Sequence, residues 1–191
     1  AQNSVSDFVV NLLNEVDFSG ETNTYTAGTR KPAACKYLAA SFADLSAINL
    51  VESLAVIQNN LNWTEAPRGK LTSYMDDKHA MVHMIGPDAN YFSNHIRFGA
   101  FLLAPDTIYP FHSHAAEEIY LPISGLGQWR LQNQPYTSKQ PGTIIHCKPW
   151  VPHAIYSGEK PLLMLWAWFG NIDFSAYQFE PDAFYPNGLP R

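Results

Sequence analysis

From Pro67 onward the sequence is a succession of short β-branched and aromatic runs, each broken by Gly, Pro, Asn or Asp. Runs of this kind read as strands, and their punctuation supplies turn residues at close intervals. The pattern predicts strands at Met81–Ile85, His95–Leu103, Glu117–Ile123, Gln128–Leu131, Gly142–His146, His153–Tyr156 and Leu162–Phe169. Some seven short strands at such spacing suggest a sandwich or a barrel.

Before residue 65 the periodicity is helical. Val5, Val9, Leu12, Leu13 and Val16 recur at three- and four-residue spacing, with Ser4 or Ser6 placed to cap the start. A second helix is predicted after Pro32, which suits a first turn, and carries Tyr37, Leu38 and Phe42. A third runs from Asp44 to Asn60, with Leu45, Ile48, Val51, Leu54 and Ile57 on one side; Gly20 to Arg30 reads as a loop. The expected molecule is mainly β: a barrel domain over residues 66–191, with a helical N-terminal segment over residues 1–65 packed on it.

Composition narrows the functional classes. The 191 residues are 46% hydrophobic and only 15% charged, which suits one folded domain and excludes a disordered chain. With 12 Lys+Arg against 17 Asp+Glu the net charge is -5, the wrong sign for a nucleic-acid binder. Apolar runs such as Pro161 to Phe169 fall short of the roughly 20 residues that span a bilayer, so no membrane segment is expected. The start, Ala1-Gln2-Asn3-Ser4, lacks the basic and apolar pattern of a signal peptide, and the expected location is cytoplasmic. Two cysteines, Cys35 and Cys147, make neither a disulfide scaffold nor a thiolate zinc cluster. Any metal must therefore be held mainly by His and carboxylate.

Residues 112 to 120 read His112-Ser113-His114-Ala115-Ala116-Glu117-Glu118-Ile119-Tyr120. If the stretch is one extended strand, His112, His114, Glu118 and Tyr120 share a face and Glu117 takes the other. Four polar side chains on one face of an otherwise apolar strand are costly to bury without partners. A divalent cation is a partner for all of them, since imidazole nitrogen and carboxylate oxygen are ordinary ligands of zinc, iron, manganese and nickel. His153, straight after the rigid turn Pro149-Trp150-Val151-Pro152, is the best further ligand. His79, His83, His95 and His146 belong to no such set and read as ordinary surface or core histidines.

These residues resemble the cupin superfamily, a six- to eight-strand barrel with two signature stretches. His112, His114, Glu118 and Gly125 fit the spacing of its first motif, with Asp106 where the leading Gly stands. In the second motif Gly142 precedes His153 by eleven residues, while Pro149 is displaced by one position and Ser157 replaces the usual Asn. The resemblance covers about residues 95 to 170 and implies a single jelly-roll barrel.

Tyr120, two residues past the Glu, and Tyr109, five before His114, look like the cupin-type dimethylsulfoniopropionate lyases. Chain length and the helical segment look most like their DddQ-type members. Those enzymes cleave dimethylsulfoniopropionate to dimethyl sulfide and acrylate. The resemblance implies His114, Glu118 and His153 as metal ligands, with Tyr120 at the metal and His112 from the general cupin set. It implies Tyr120 as the base, Tyr109 as an assisting or orienting group, and one divalent ion. Zinc or iron leads, with manganese, nickel or cobalt as further candidates.

The substrate is a small zwitterion, and its sulfonium end favours aromatic faces. Trp166, Trp168, Tyr109, Tyr91, Phe92 and Tyr37 are the candidates, each with ordinary core packing as its bland alternative. A monomer or a homodimer is expected. Two other readings share the ligand set: an iron-dependent dioxygenase, and a non-catalytic cupin that binds a sugar or small acid and has no use for Tyr120.

Overall fold

The computed structural model describes residues 31–43, 61–65 and 73–180, together with residues 10, 13, 14, 16–19, 54 and 57. The predicted first and third helices and the loop between Gly20 and Arg30 lie mostly outside the described residues. The second helix is there. It opens as a 3-10 turn at Ala33–Tyr37 behind Pro32, then continues as a short helix, α1, over Leu38–Ala43.

Eleven strands are described: β1 His79–Gly86, β2 Tyr91–Phe92, β3 Ile96–Leu103, β4 Ile108–Ser113, β5 Ala116–Ser124, β6 Gly127–Leu131, β7 Thr137–Lys139, β8 Ile145–Cys147, β9 His153–Tyr156, β10 Leu162–Gly170 and β11 Gln178–Phe179. They form a six-stranded sheet in the order β2-β1-β3-β10-β5-β8 and a five-stranded sheet in the order β11-β4-β9-β6-β7. The molecule is mainly β, as its punctuated runs predict.

Side-chain alternation assigns each face of the larger sheet to a different core. Phe101, Leu103, Met164, Trp166 and Trp168 meet Tyr109, Trp129 and Ile155 of the smaller sheet, and this inter-sheet cluster is the barrel interior. Their neighbours Ala100, Leu102, Leu163 and Leu165 point the other way and pack with Ala34, Leu38, Leu54 and Trp63. Both faces of β10 are therefore covered. That is why its sequence is a continuous apolar run, with eight consecutive buried residues, and not an alternating one.

Two corrections concern how the chain turns. Residues 112 to 120 are not one strand: β4 stops at Ser113, β5 starts at Ala116, and the two belong to different sheets. Strand β8 begins at Ile145 and not Gly142, because Gly142 has φ +85° and Thr143 closes a turn onto the Gln140 carbonyl. The cupin-type glycine at 125 is required in place, with φ +83° and an added Cβ only 2.4 Å from the Pro161 carbonyl oxygen. Asp106, standing where the motif has its leading glycine, also adopts a left-handed φ of +50°. Its short carboxylate suits that conformation and accepts a hydrogen bond from the Tyr156 hydroxyl at 2.9 Å.

Candidate active site

Four segments of chain meet inside the barrel. Strand β4 carries His112, the crossing between sheets carries His114, β5 carries Glu118 and Tyr120, and β9 opens on His153. His112 and His153 are partners in the β4–β9 ladder, with ring centroids 4.0 Å apart. The Trp150 N–H donates to the His114 carbonyl at 2.8 Å, tying the proline turn before His153 to the crossing. The one-strand geometry was wrong, yet the four residues do converge. Inward parity is kept across the bend, so what a single strand would display on one face is displayed by two sheets around one space.

His112, His114, Glu118 and His153 are all buried, and a ligand-type atom from each lies within 4.8 Å of the others. Backbone carbonyls fix all three imidazoles. Nδ1–H donates to Pro110 at 2.6 Å in His112, to Ala116 at 3.0 Å in His114, and to Val151 at 2.9 Å in His153. Each Nε2 is thereby presented to the interior, the arrangement by which outer partners orient metal-type histidines.

Glu118 Oε2 lies 2.8 Å from His114 Nε2 and 3.0 Å from His153 Nε2. A carboxylate oxygen facing imidazole lone pairs at that range needs positive charge between them, a further proton or a metal ion. Burial by itself would raise the Glu118 carboxyl, but the charge and hydrogen bonds of His114 and His153 hold it well below the usual carboxylate range. His112 is pushed well down by burial, then by His153 and His114, so it is a neutral imidazole. The donor set fits a divalent ion.

Tyr120 is fully interior, with its oxygen 3.4 Å from His153 Nε2. Burial first, then the Glu118 charge, pushes its phenol well above the ordinary value. Tyr109 is pushed up to about 12 by burial and Glu118 against the lowering effect of a hydrogen bond from Tyr177. Its ring stands edge-on to His112 at 4.9 Å. Trp168 lies against the His114 ring at 4.3 Å, and Trp166 follows at 6.0 Å. In the β5–β10 ladder these indoles sit opposite Glu118 and Tyr120 respectively.

Other predicted residues are placed elsewhere. Tyr37 packs in the cluster on the outer face of the large sheet. Tyr91 belongs to a separate cluster with Val16, Ile85 and Ile96, its ring 5.2 Å from Phe18. Phe92 is 61% exposed. All three sit on elements that cover or edge the sheet, so none of them reaches the interior His/Glu group. Glu117 points away from that group, as parity predicts, and meets His146. His79 is a satisfied core histidine, bonded to the Met75 carbonyl at 2.9 Å.

Tyr177 is the residue that sequence reasoning passed over. Its ring stacks on His112 at 4.9 Å and 18°, and its hydroxyl donates to the Tyr109 oxygen at 3.1 Å. The available signal was the aromatic spacing Phe174, Tyr177, Phe179 directly after the last long strand.

The two-sheet β-barrel that encloses the buried His/Glu group has the cupin fold. The solved cupin-2 domain Rru_A2000 from Rhodospirillum rubrum shares the fold at a TM-score of 0.50 and 11% identity, over 65% of this chain and 78% of that one. The sequence model of the dimethylsulfoniopropionate lyase family matches residues 7–164, and the chain belongs to that family.

Dimethylsulfoniopropionate lyase DddQ from Ruegeria pomeroyi is 27% identical over 112 residues, 59% of this chain and 53% of that protein. The match thus spans about half the length of the curated relative. The crystal structure of that DddQ superposes with a TM-score of 0.73 at 23% identity, covering 98% of both chains. A structure described as DMSP lyases RdDddP and RnDddQII follows at 0.67 and 17%, over 90% and 89%. At these identities the superpositions speak for the fold.

Proposed function

We propose that this chain is a metal-dependent carbon–sulfur lyase that cleaves dimethylsulfoniopropionate to dimethyl sulfide and acrylate by β-elimination. The observation that carries the reading is Tyr120, whose phenol oxygen lies 3.4 Å from His153 Nε2 at the edge of the His/Glu group. Family membership and the activity named for DddQ support it.

His114, Glu118 and His153 would hold the ion, with His112 and Tyr120 next to it. A divalent cation there supplies Lewis-acid charge to the substrate carboxylate and favours the phenolate of a touching tyrosine. The protein alone keeps Tyr120 protonated, through burial and the neighbouring Glu118 charge. Its role as base therefore depends on positive charge in the group.

Tyr120 takes the proton α to the carboxylate. The electron pair of that C–H bond forms the Cα=Cβ bond as the Cβ–S bond breaks. Dimethyl sulfide leaves as a neutral molecule, so no general acid is needed. The Trp166 and Trp168 rings offer faces to the sulfonium. Tyr109, whose oxygen accepts from Tyr177, would use its own O–H to orient the substrate or assist proton transfer. Zinc or iron is the leading ion; manganese, nickel and cobalt suit the same donors.

Headspace gas analysis tests the reading directly. Metal-replete protein given dimethylsulfoniopropionate is expected to release dimethyl sulfide and leave an equal amount of acrylate in solution. Metal-replete protein that releases neither is not this lyase.

A further inference from the structure

The chain after β10 supplies a wall of the site and is clamped at both ends. At the near end the Arg97 guanidinium, held by Asp88 at 2.5 Å, donates to the Ile172 carbonyl at 2.9 Å and lies 4.3 Å over the Phe174 ring. At the far end β11 pairs with β4, placing Gln178 opposite Ser113 and Phe179 opposite His112. The Glu180 N–H donates to the Phe111 carbonyl at 2.8 Å. The Glu180 carboxylate accepts from the Ser113 hydroxyl at 2.5 Å and from the Gln178 amide at 2.9 Å.

Tyr177 sits between the two clamps. Its ring lies nearly parallel to three rings of the site: His112 at 4.9 Å and 18°, His114 at 5.9 Å and 22°, and Trp168 at 6.5 Å and 20°. Its hydroxyl donates to the Tyr109 oxygen at 3.1 Å. A phenylalanine would stack in the same way, so packing alone leaves the hydroxyl unexplained.

The hydroxyl acts on what packing cannot fix in Tyr109. That ring is set by edge-on contacts with Phe101 at 5.0 Å and His112 at 4.9 Å. Such contacts place the phenol oxygen but not its proton, because an O–H rotates to suit its partners. By donating, Tyr177 occupies a lone pair of the Tyr109 oxygen and leaves the Tyr109 proton for a third group. Linked hydrogen bonds also polarise one another, which makes the second O–H a stronger donor. An anionic group beside Tyr109 then meets a proton and not a lone pair.

We propose that Tyr177 is a positioning residue, whose hydroxyl fixes the Tyr109 O–H as a donor toward bound substrate while the clamped segment from Ile172 to Glu180 holds it in place. The coupling of the two tyrosines stands by itself; its part in catalysis rests on the lyase reading above.

Tyr177→Phe removes the hydroxyl and keeps the ring, and so separates positioning from packing. The variant is expected to hold its metal and to lose about tenfold in kcat, the scale of one hydrogen bond. KM is expected to stay within about twofold, as for an interaction made in the transition state. In a Tyr109→Phe background the same change should cost nothing further. Activity equal to that of the native chain, loss of metal, a loss confined to KM, or an equal loss with Tyr109 already replaced would overturn the proposal.

A second measurement needs neither metal nor turnover. With tyrosines labelled by carbon-13 at Cζ, the NMR signal of Tyr109 in the metal-free chain is identified by its disappearance in Tyr109→Phe. That signal is expected to shift in Tyr177→Phe, where the stacked ring is retained; an unmoved signal would also overturn the proposal. If the metal-replete native chain releases no dimethyl sulfide while the signal does shift, the failure belongs to the lyase reading alone.

Discussion

At the scale of single residues, the His/Glu group is organised by what its atoms cannot do by themselves. Three imidazoles spend Nδ1 on backbone carbonyls and turn Nε2 inward, where Glu118 Oε2 faces two of them within 3.0 Å. His114→Ala and Glu118→Ala are expected to lose bound metal together with lyase activity. Elemental analysis of each variant checks this, and one that retains a full equivalent of metal removes its residue from the ligand set. Tyr120→Phe should keep the metal and lose about 100-fold or more in turnover, the scale of a missing general base. Full turnover with metal bound would remove Tyr120 from that role.

His83 predicts a pH effect on stability. Its folded value of about 4 lies below the ordinary 6.5, so the unfolded chain takes up the proton first as the pH falls. Its contribution is complete above about pH 6.5 and is lost progressively toward pH 4. Urea denaturation between pH 7 and 4 should show a smaller loss in His83→Leu; equal slopes would refute the assignment.

At the scale of elements, most strands were legible because short apolar runs bounded by Gly, Pro and Asn have few alternatives. Strand β4 was not. Its sequence, Ile108-Tyr109-Pro110-Phe111-His112-Ser113, contains a proline, which argues against a paired strand. The structure admits it because the β4–β9 register shifts between Tyr109 and His112, where Pro110 sits. Strands β2, β7 and β11 have only two or three residues and so no period to detect.

The outer face of the large sheet carries a stability prediction of its own. Leu102 is fully buried beneath Ala34, Leu38, Leu54 and Trp63 on the side away from the His/Glu group. Leu102→Ala should cost about 2–5 kcal/mol in chemical denaturation while leaving metal content unchanged. A loss of metal in that variant would mean the two faces are coupled.

At the scale of the whole molecule, two sheets enclose a small polar group in an aromatic interior, and no helix among the described residues is long and apolar enough to cross a membrane. A cation that binds the folded chain and not the unfolded one adds stability by mass action, about 2.7 kcal/mol at a hundred times its Kd. Chelation is therefore expected to lower the melting temperature, and restoring zinc or ferrous iron to raise it again. Identical melting curves with and without metal would argue that protons, not a metal ion, supply the positive charge in the group.

The sequence by itself determined the strand-rich architecture and the shared parity of His112, His114, Glu118 and Tyr120, and offered His153 as a further ligand. Both follow from chemistry that is local: turn residues, two-residue alternation, and the cost of burying polar groups without partners. Which aromatics face the site was decided only by the tertiary structure. Tyr37 and Trp168 are both partly or fully buried apolar rings, but they pack on opposite faces of one sheet. Because both faces are covered, hydropathy carries no mark of inside or outside. Tyr177 joins the group across more than sixty residues from its partners Tyr109 and His112, through the path of the chain after β10, and no local pattern encodes that path.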